Sequence, residues 1–139
     1  MISKSLQNVV LVIEDDELMQ DLIKSYLAHL GVEIVSAYNG EEGYHKYRHL
    51  LENGQRPAMV IIDIHMPLMD GIEATKRIIG VDPSANIIGF TAFYGTERTK
   101  QLKAAGAKKV IPRSIGFKVF RSMIKDTLLE TGIAGPLLH

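Results

Sequence analysis

Residues 59–71, MVIIDIHMPLMDG, constrain this chain more than any other stretch: four uninterrupted apolar residues run directly into Asp63, and a Pro/Asp/Gly turn follows at once. A run without polar alternation is the pattern of a strand covered on both faces, as in parallel sheets. In open parallel sheets ligands collect beyond the carboxyl ends of the strands, so Asp63 stands where chemistry is expected. An aspartate at a strand end also commonly opens a turn or caps a helix. On this stretch alone the two readings weigh equally.

The rest of the chain repeats the pattern. Residues 9–13 (VVLVI) form a second apolar run that ends in Glu14, Asp15, Asp16 and Glu17. Apolar residues then recur at Met19, Leu22, Ile23, Tyr26, Leu27 and Leu30, the spacing of a helix with one buried face, with Gly31 placed to end it. Asp16 is the expected N-cap, and capping accounts for Asp16 and Glu17. A strand over 32–36 precedes a helix that Asn39 and Gly40 open, that carries Tyr44, Tyr47, Leu50 and Leu51, and that Asn53 and Gly54 stop. After Asp63 a helix carries Ile72, Ile78 and Ile79 as far as Asp82 and Pro83. A strand over 86–90 ends in Thr91, a helix over 97–105 ends at Gly106, and a strand over 108–111 meets Pro112, which suits an edge strand or a strand terminus. Phe117, Phe120, Met123, Ile124 and Leu128 mark the last helix. Residues 131–139 read as a tail or a truncated linker after a domain over 1–130.

Five strands alternating with five helices imply a doubly wound α/β fold, a parallel sheet with helices on both faces, because each right-handed crossover must return to the same sheet. The 139 residues suffice for one such domain. Lysine plus arginine and aspartate plus glutamate number 16 each, so no overall charge draws the chain to nucleic acid or an anionic membrane, and neither is expected as a partner. No cysteine is present, which removes disulfides, thiolate metal sites and a cysteine nucleophile. The absence of a leader-like or membrane-spanning apolar run fits a cytoplasmic protein.

Four strands end in polar residues: Glu14 and Asp15, Asp63, Thr91, and Arg113. With the first and third strands as neighbours, the carboxylates meet at the point where the winding reverses. Crowded carboxylates repel unless a cation compensates, and an all-oxygen donor set suits Mg²⁺.

The segments VIEDD (12–16), IDIHMPLMDG (62–71), FTA (90–92) and AGA (105–107) resemble the receiver domain of response regulators in two-component signalling, over about residues 8–130. The resemblance implies a flavodoxin-like sheet of order 2-1-3-4-5. It makes Asp63 the phosphoacceptor, served by a histidine kinase or a phosphotransfer protein, with output carried by an unknown partner or domain. Mg²⁺ would be held by Asp15, by Glu14 through water, by Asp63, and by the backbone carbonyl of His65; the His65 side chain is expected only to shape access. Thr91 would donate its hydroxyl to the phosphoryl oxygens. The implied protein is not an enzyme beyond its own phosphorylation and dephosphorylation.

Two departures from the pattern involve three positions. A lysine followed by proline is replaced by Arg113 and Ser114, and an aromatic residue three places earlier by Val110. Arginine presents a planar fork in place of a compact ammonium, so it is not equivalent. The expectation is a trans bond after Arg113, whose side chain leans over the crevice and pairs with Asp63 or another acid, bidentately if geometry allows. These departures favour an alternative, a pseudo-receiver that binds protein without phosphorylation. A phosphohydrolase with an aspartyl nucleophile would need a second aspartate where His65 stands.

Overall fold

The structure, a computed structural model, describes residues 8–130; the expected tail at 131–139 lies outside the described residues. Five strands, β1 (Asn8–Ile13), β2 (Val32–Ala37), β3 (Met59–Ile62), β4 (Ile87–Thr91) and β5 (Lys109–Pro112), alternate with five helices, α1 (Glu17–Leu27), α2 (Gly40–Glu52), α3 (Gly71–Val81), α4 (Glu97–Ala105) and α5 (Phe117–Glu130). Every pairing is parallel, and the order is β2-β1-β3-β4-β5. This is the doubly wound, flavodoxin-like architecture that the alternation and the resemblance implied.

Successive strand residues point to opposite faces, and the two faces carry separate cores. On one, Val10, Val12, Met59, Ile61, Ile88 and Phe90 pack against α1 and α5 through Ile23, Leu27, Phe120 and Ile124. On the other, Leu11, Ile13, Val60, Ile62 and Ile87 pack against α2, α3 and α4 through Tyr47, Ile72, Ile78 and Leu102. All four residues of β3 are buried, as a central strand between β1 and β4 requires. Each large aliphatic side chain so buried contributes about 2 kcal/mol.

Several boundaries differ from the sequence reading. Helix α1 ends at Leu27 with Ala28 as its cap, three residues before Leu30; Leu30 is still buried, but from a turn that Gly31 completes at φ 72°. Strand β5 includes Pro112, whose missing N–H costs nothing at the last position of an edge strand. Residues Arg113–Ile115 form a 3₁₀ turn that the sequence reading did not anticipate.

Helix α3 begins hard against β3. A Cβ on Gly71 would lie 2.0 Å from the backbone oxygen of Asp63, so only glycine permits this approach. The Gly71 N–H donates to the Ile64 carbonyl at 2.8 Å, and Asp70 caps the helix by accepting the Glu73 N–H at 2.9 Å. The turn chemistry of 67–71 thereby fixes the height of Asp63 relative to α3.

At the other end of the sheet, Tyr47 of α2 donates its hydroxyl to Asp82, and Arg56 holds the same carboxylate with its Nε at 2.9 Å and with its Nη2. The Arg56 hydrogen bond is the largest influence holding the Asp82 carboxyl below its ordinary value.

Candidate functional site

The register sets the acids side by side. Ile13 of β1 pairs with Ile62 of β3, so Glu14 and Asp63 leave adjacent strands at the same level, and the Asp63 N–H donates to the Ile13 carbonyl at 3.1 Å. Carboxylate oxygens of Glu14, Asp15 and Asp63 all lie within 4.8 Å of one another. Glu14 is 2% and Asp63 8% exposed, whereas Asp15 is open to solvent. Asp16 turns away to cap α1, accepting the Leu18 N–H at 2.8 Å, as expected. Its own N–H donates to Glu14 Oε2 at 2.9 Å.

Burial dominates the electrostatics. It pushes the Glu14 carboxyl up to about 7, although the Asp16 N–H and Arg113 pull it down; Asp63 and Asp15 add to the rise. Asp63 is raised chiefly by burial, with Arg113 and the Ile64 N–H opposing and Asp15 adding. The Ile64 N–H donates to Asp63 Oδ1 at 2.8 Å, which fixes the carboxylate plane and leaves Oδ2 facing the other charges.

Arg113 leans over the crevice as expected, and the described backbone contains no cis peptide bond. Its Nη2 contacts Glu14 Oε1 and also lies 3.3 Å from Asp63 Oδ2. The pairing with the acids is met, but the geometry does not allow the bidentate form: a single nitrogen bridges two carboxylates. Arg113 is the first residue of the 3₁₀ turn that follows β5. The Arg113 Nε is buried without a hydrogen-bond partner, and the guanidinium carbon lies 5.4 Å from the centroid of the Phe90 ring. Below the charges Val12, Ile13, Ile23, Ile61 and Phe90 form a floor with no water-sized space.

Thr91 closes β4 and is buried; its hydroxyl oxygen accepts the Phe93 N–H at 3.0 Å. The side chain of His65 is exposed and meets the Phe93 ring edge-on, with centroids 4.3 Å apart. Val110 is buried on the opposite face of the sheet from Phe90, in the core shared with Leu102 of α4. An open crevice of about 420 Å³, lined by Asp15, His65, Met66, Pro67, Asp70 and Arg98, gives access from solvent. Arg98 reaches across it from α4 to pair with Asp70 at 2.7 Å.

Sequence reasoning missed Gln20. Its Nε2 donates to the carbonyls of Val12, Glu14 and Ala37 at 2.9–3.0 Å, tying together the ends of β1 and β2 that present the acids. The signal was a lone polar residue on the stripe 20, 23, 27, 30, which is buried throughout. His45 and His49, also passed over, stand one turn apart on α2. Even so, Glu14, Asp15 and Asp63 are the only group of three metal-ligand side chains brought together among the described residues.

The donor set passes the test for a hard divalent cation: it is all oxygen, anionic and reachable through Asp15, and the acids' raised pKa values mark charge in need of compensation. With neither sulfur nor imidazole among these three donors, the set does not suit a soft metal.

Comparison with known proteins agrees with this geometry. The model of the response regulator receiver domain family matches residues 10–125. Chemotaxis protein CheY of Thermotoga maritima is 36% identical over 103 residues, 73% of this chain and 82% of that protein. A cyclic di-GMP phosphodiesterase of the same organism is 29% identical over 119 residues; the match spans 86% of this chain but 30% of that protein. Among solved structures, TrrA of Thermotoga maritima in complex with Mg²⁺ and a beryllofluoride superposes with a TM-score of 0.73 at 30% identity, covering 87% of this chain and 99% of the other. The CheX–CheY–BeF3–Mg²⁺ complex of Borrelia burgdorferi gives 0.75 at 26% identity, covering 89% and 88%.

Proposed function

This chain belongs to the response regulator receiver domain family, and on that premise we propose that it is a phosphorylation switch in which Asp63 accepts a phosphoryl group from the phosphohistidine of a kinase or phosphotransfer protein, with Mg²⁺ as cofactor. The observation that carries this reading is the meeting of Glu14, Asp15 and Asp63 oxygens within 4.8 Å at the ends of two adjacent strands.

Asp63 Oδ1 is held by the Ile64 N–H, so Oδ2 is the nucleophile. An Oδ2 lone pair forms the new O–P bond while the P–N bond of the donor breaks, and the leaving imidazole keeps that electron pair. Glu14, Asp15, Asp63 and the His65 carbonyl would hold Mg²⁺, which when bound neutralises charge on the transferring group. The Thr91 oxygen accepts an N–H, so its own hydroxyl proton is free to be donated to a phosphoryl oxygen. Arg113 lies beside Asp63 Oδ2 before the metal binds, and its guanidinium remains within reach of a phosphoryl group carried there. Output passes to another protein or domain, and the only catalysis is that of the chain's own phosphorylation and dephosphorylation.

The test is incubation with a small acyl phosphate and Mg²⁺. The expected result is an acid-stable, hydroxylamine-labile phosphate that disappears with chelator and in Asp63→Asn. A second reading, a pseudo-receiver that holds one state, is favoured by Arg113, Ser114 and Val110. It predicts no phosphate and no binding of beryllofluoride with Mg²⁺, and that outcome would overturn the first.

A further inference from the structure

The acid pocket already contains a cation. One Nη2 of Arg113 sits in contact with Glu14 Oε1 and Asp63 Oδ2, and those are two of the three carboxylates that would hold a metal. We propose that Arg113 is a resident counter-cation which a divalent ion must displace from Asp63 in order to bind, so that the guanidinium sets the metal affinity of this receiver. The inference rests on the metal reading given above and adds a competitor to it.

Three observations support it. The first is position, because a nitrogen in contact with both carboxylates occupies the space between them, and charges of +1 and +2 a few ångströms apart repel. The second is the way the side chain is held. The 3₁₀ turn starts at Arg113, the Gly116 N–H donates to its carbonyl at 3.2 Å, and its side chain is only 21% exposed, so the guanidinium is built into the pocket. The third is incomplete satisfaction. The Nε is buried with no partner above a floor that has no water-sized space. A guanidinium with one edge donor unused is bound less firmly than a full fork, so it can be displaced. Moving away from Asp63 would free that donor to find an acceptor.

Competition is reciprocal: whatever factor Arg113 takes from metal affinity, the metal takes from the contact between Arg113 and Asp63. The experiment is calorimetric titration of MgCl₂ into the wild type, Arg113→Lys and Arg113→Gln at fixed ionic strength. In parallel, the Arg113 Nε–H signal is followed by NMR in the wild type. The dissociation constant should fall about tenfold in Arg113→Gln and less in Arg113→Lys, the scale of a coupling between two bound cations. The wild-type Nε–H signal should move with the same midpoint as binding. Equal or weaker affinity in both variants, or an Nε–H signal that ignores the metal, overturns the role of Arg113 and leaves the metal site standing. If none of the three proteins binds Mg²⁺, the metal reading falls and this inference with it. Should Arg113→Gln fail to fold without metal, the lysine variant and the wild-type signal decide.

Discussion

Asp63 stands in a place that disfavours its ionised form. Its pKa lies above the ordinary value because burial outweighs Arg113 and the Ile64 N–H, so the fold stabilises the neutral form relative to the unfolded chain. Asp63→Asn should therefore raise the metal-free melting temperature by a few degrees, with Arg113 still paired to Glu14. A thermal melt in chelator that shows a lower value refutes the crowding. Asp82 behaves in the opposite sense. Its folded pKa is depressed, first by the Arg56 hydrogen bond, so its contribution is complete above the ordinary carboxylate value and is lost as pH falls through the lower folded one. Asp82→Asn should cost about 2 kcal/mol near neutral pH in denaturant titrations, and the difference from wild type should vanish in acid. Glu14 and Asp63 were legible in the sequence because each follows an apolar run directly, and Asp15 because it adjoins Glu14. Asp82 was read as a helix stop, because its partners Tyr47 and Arg56 are 35 and 26 residues away and no local pattern links them.

Elements position these residues, and the glycine in MPLMDG shows how tightly. A methyl group at residue 71 would meet the carbonyl of Asp63 at 2.0 Å, so α3 would have to withdraw from β3. Gly71→Ala should destabilise the fold by roughly 1–3 kcal/mol and abolish the Mg²⁺-dependent rise in melting temperature. An unchanged rise would mean that the contact does not position the site. The sheet face toward α4 bears on switching. Val110 packs there beside Gly89, in the same core as Leu102, without a ring that could swing. Beryllofluoride with Mg²⁺ should therefore shift amide signals over 91–115 less than an aromatic at 110 would allow, and Val110→Tyr is the comparison. Larger shifts in the wild type than in that variant would refute this. Helix existence and order were readable from spacing. The end of α1 was not, because Leu30 is apolar and buried as the periodicity required yet lies in a turn, and a buried turn residue looks the same as a helical one in sequence.

For the molecule as a whole, alternation of strands and helices identified a doubly wound sheet, but which strand neighbours which came from family resemblance. Crossover handedness fixes the turn of each unit without fixing the point of reversal. Placing that reversal beside β1 and β3 brings Glu14 and Asp63 together, so the one topological fact that local pattern could not supply is the one that assembles the site. The Phe90 ring lies at the base of that site. Arg113 stands over it, Phe120 stacks against it at 4.0 Å, and Phe117, edge-on at 5.7 Å, stacks in turn on Tyr26 of α1 at 4.9 Å. Four aromatic rings thus run from the charged pocket to the contact between α1 and α5, on the face opposite Val110. The chain has no tryptophan and five tyrosines, and Tyr26 is the one at the far end of that stack. Whatever moves the guanidinium changes the environment of the first ring, and the consequence at the last is the part of the unlabelled tyrosine fluorescence that Tyr26→Phe removes.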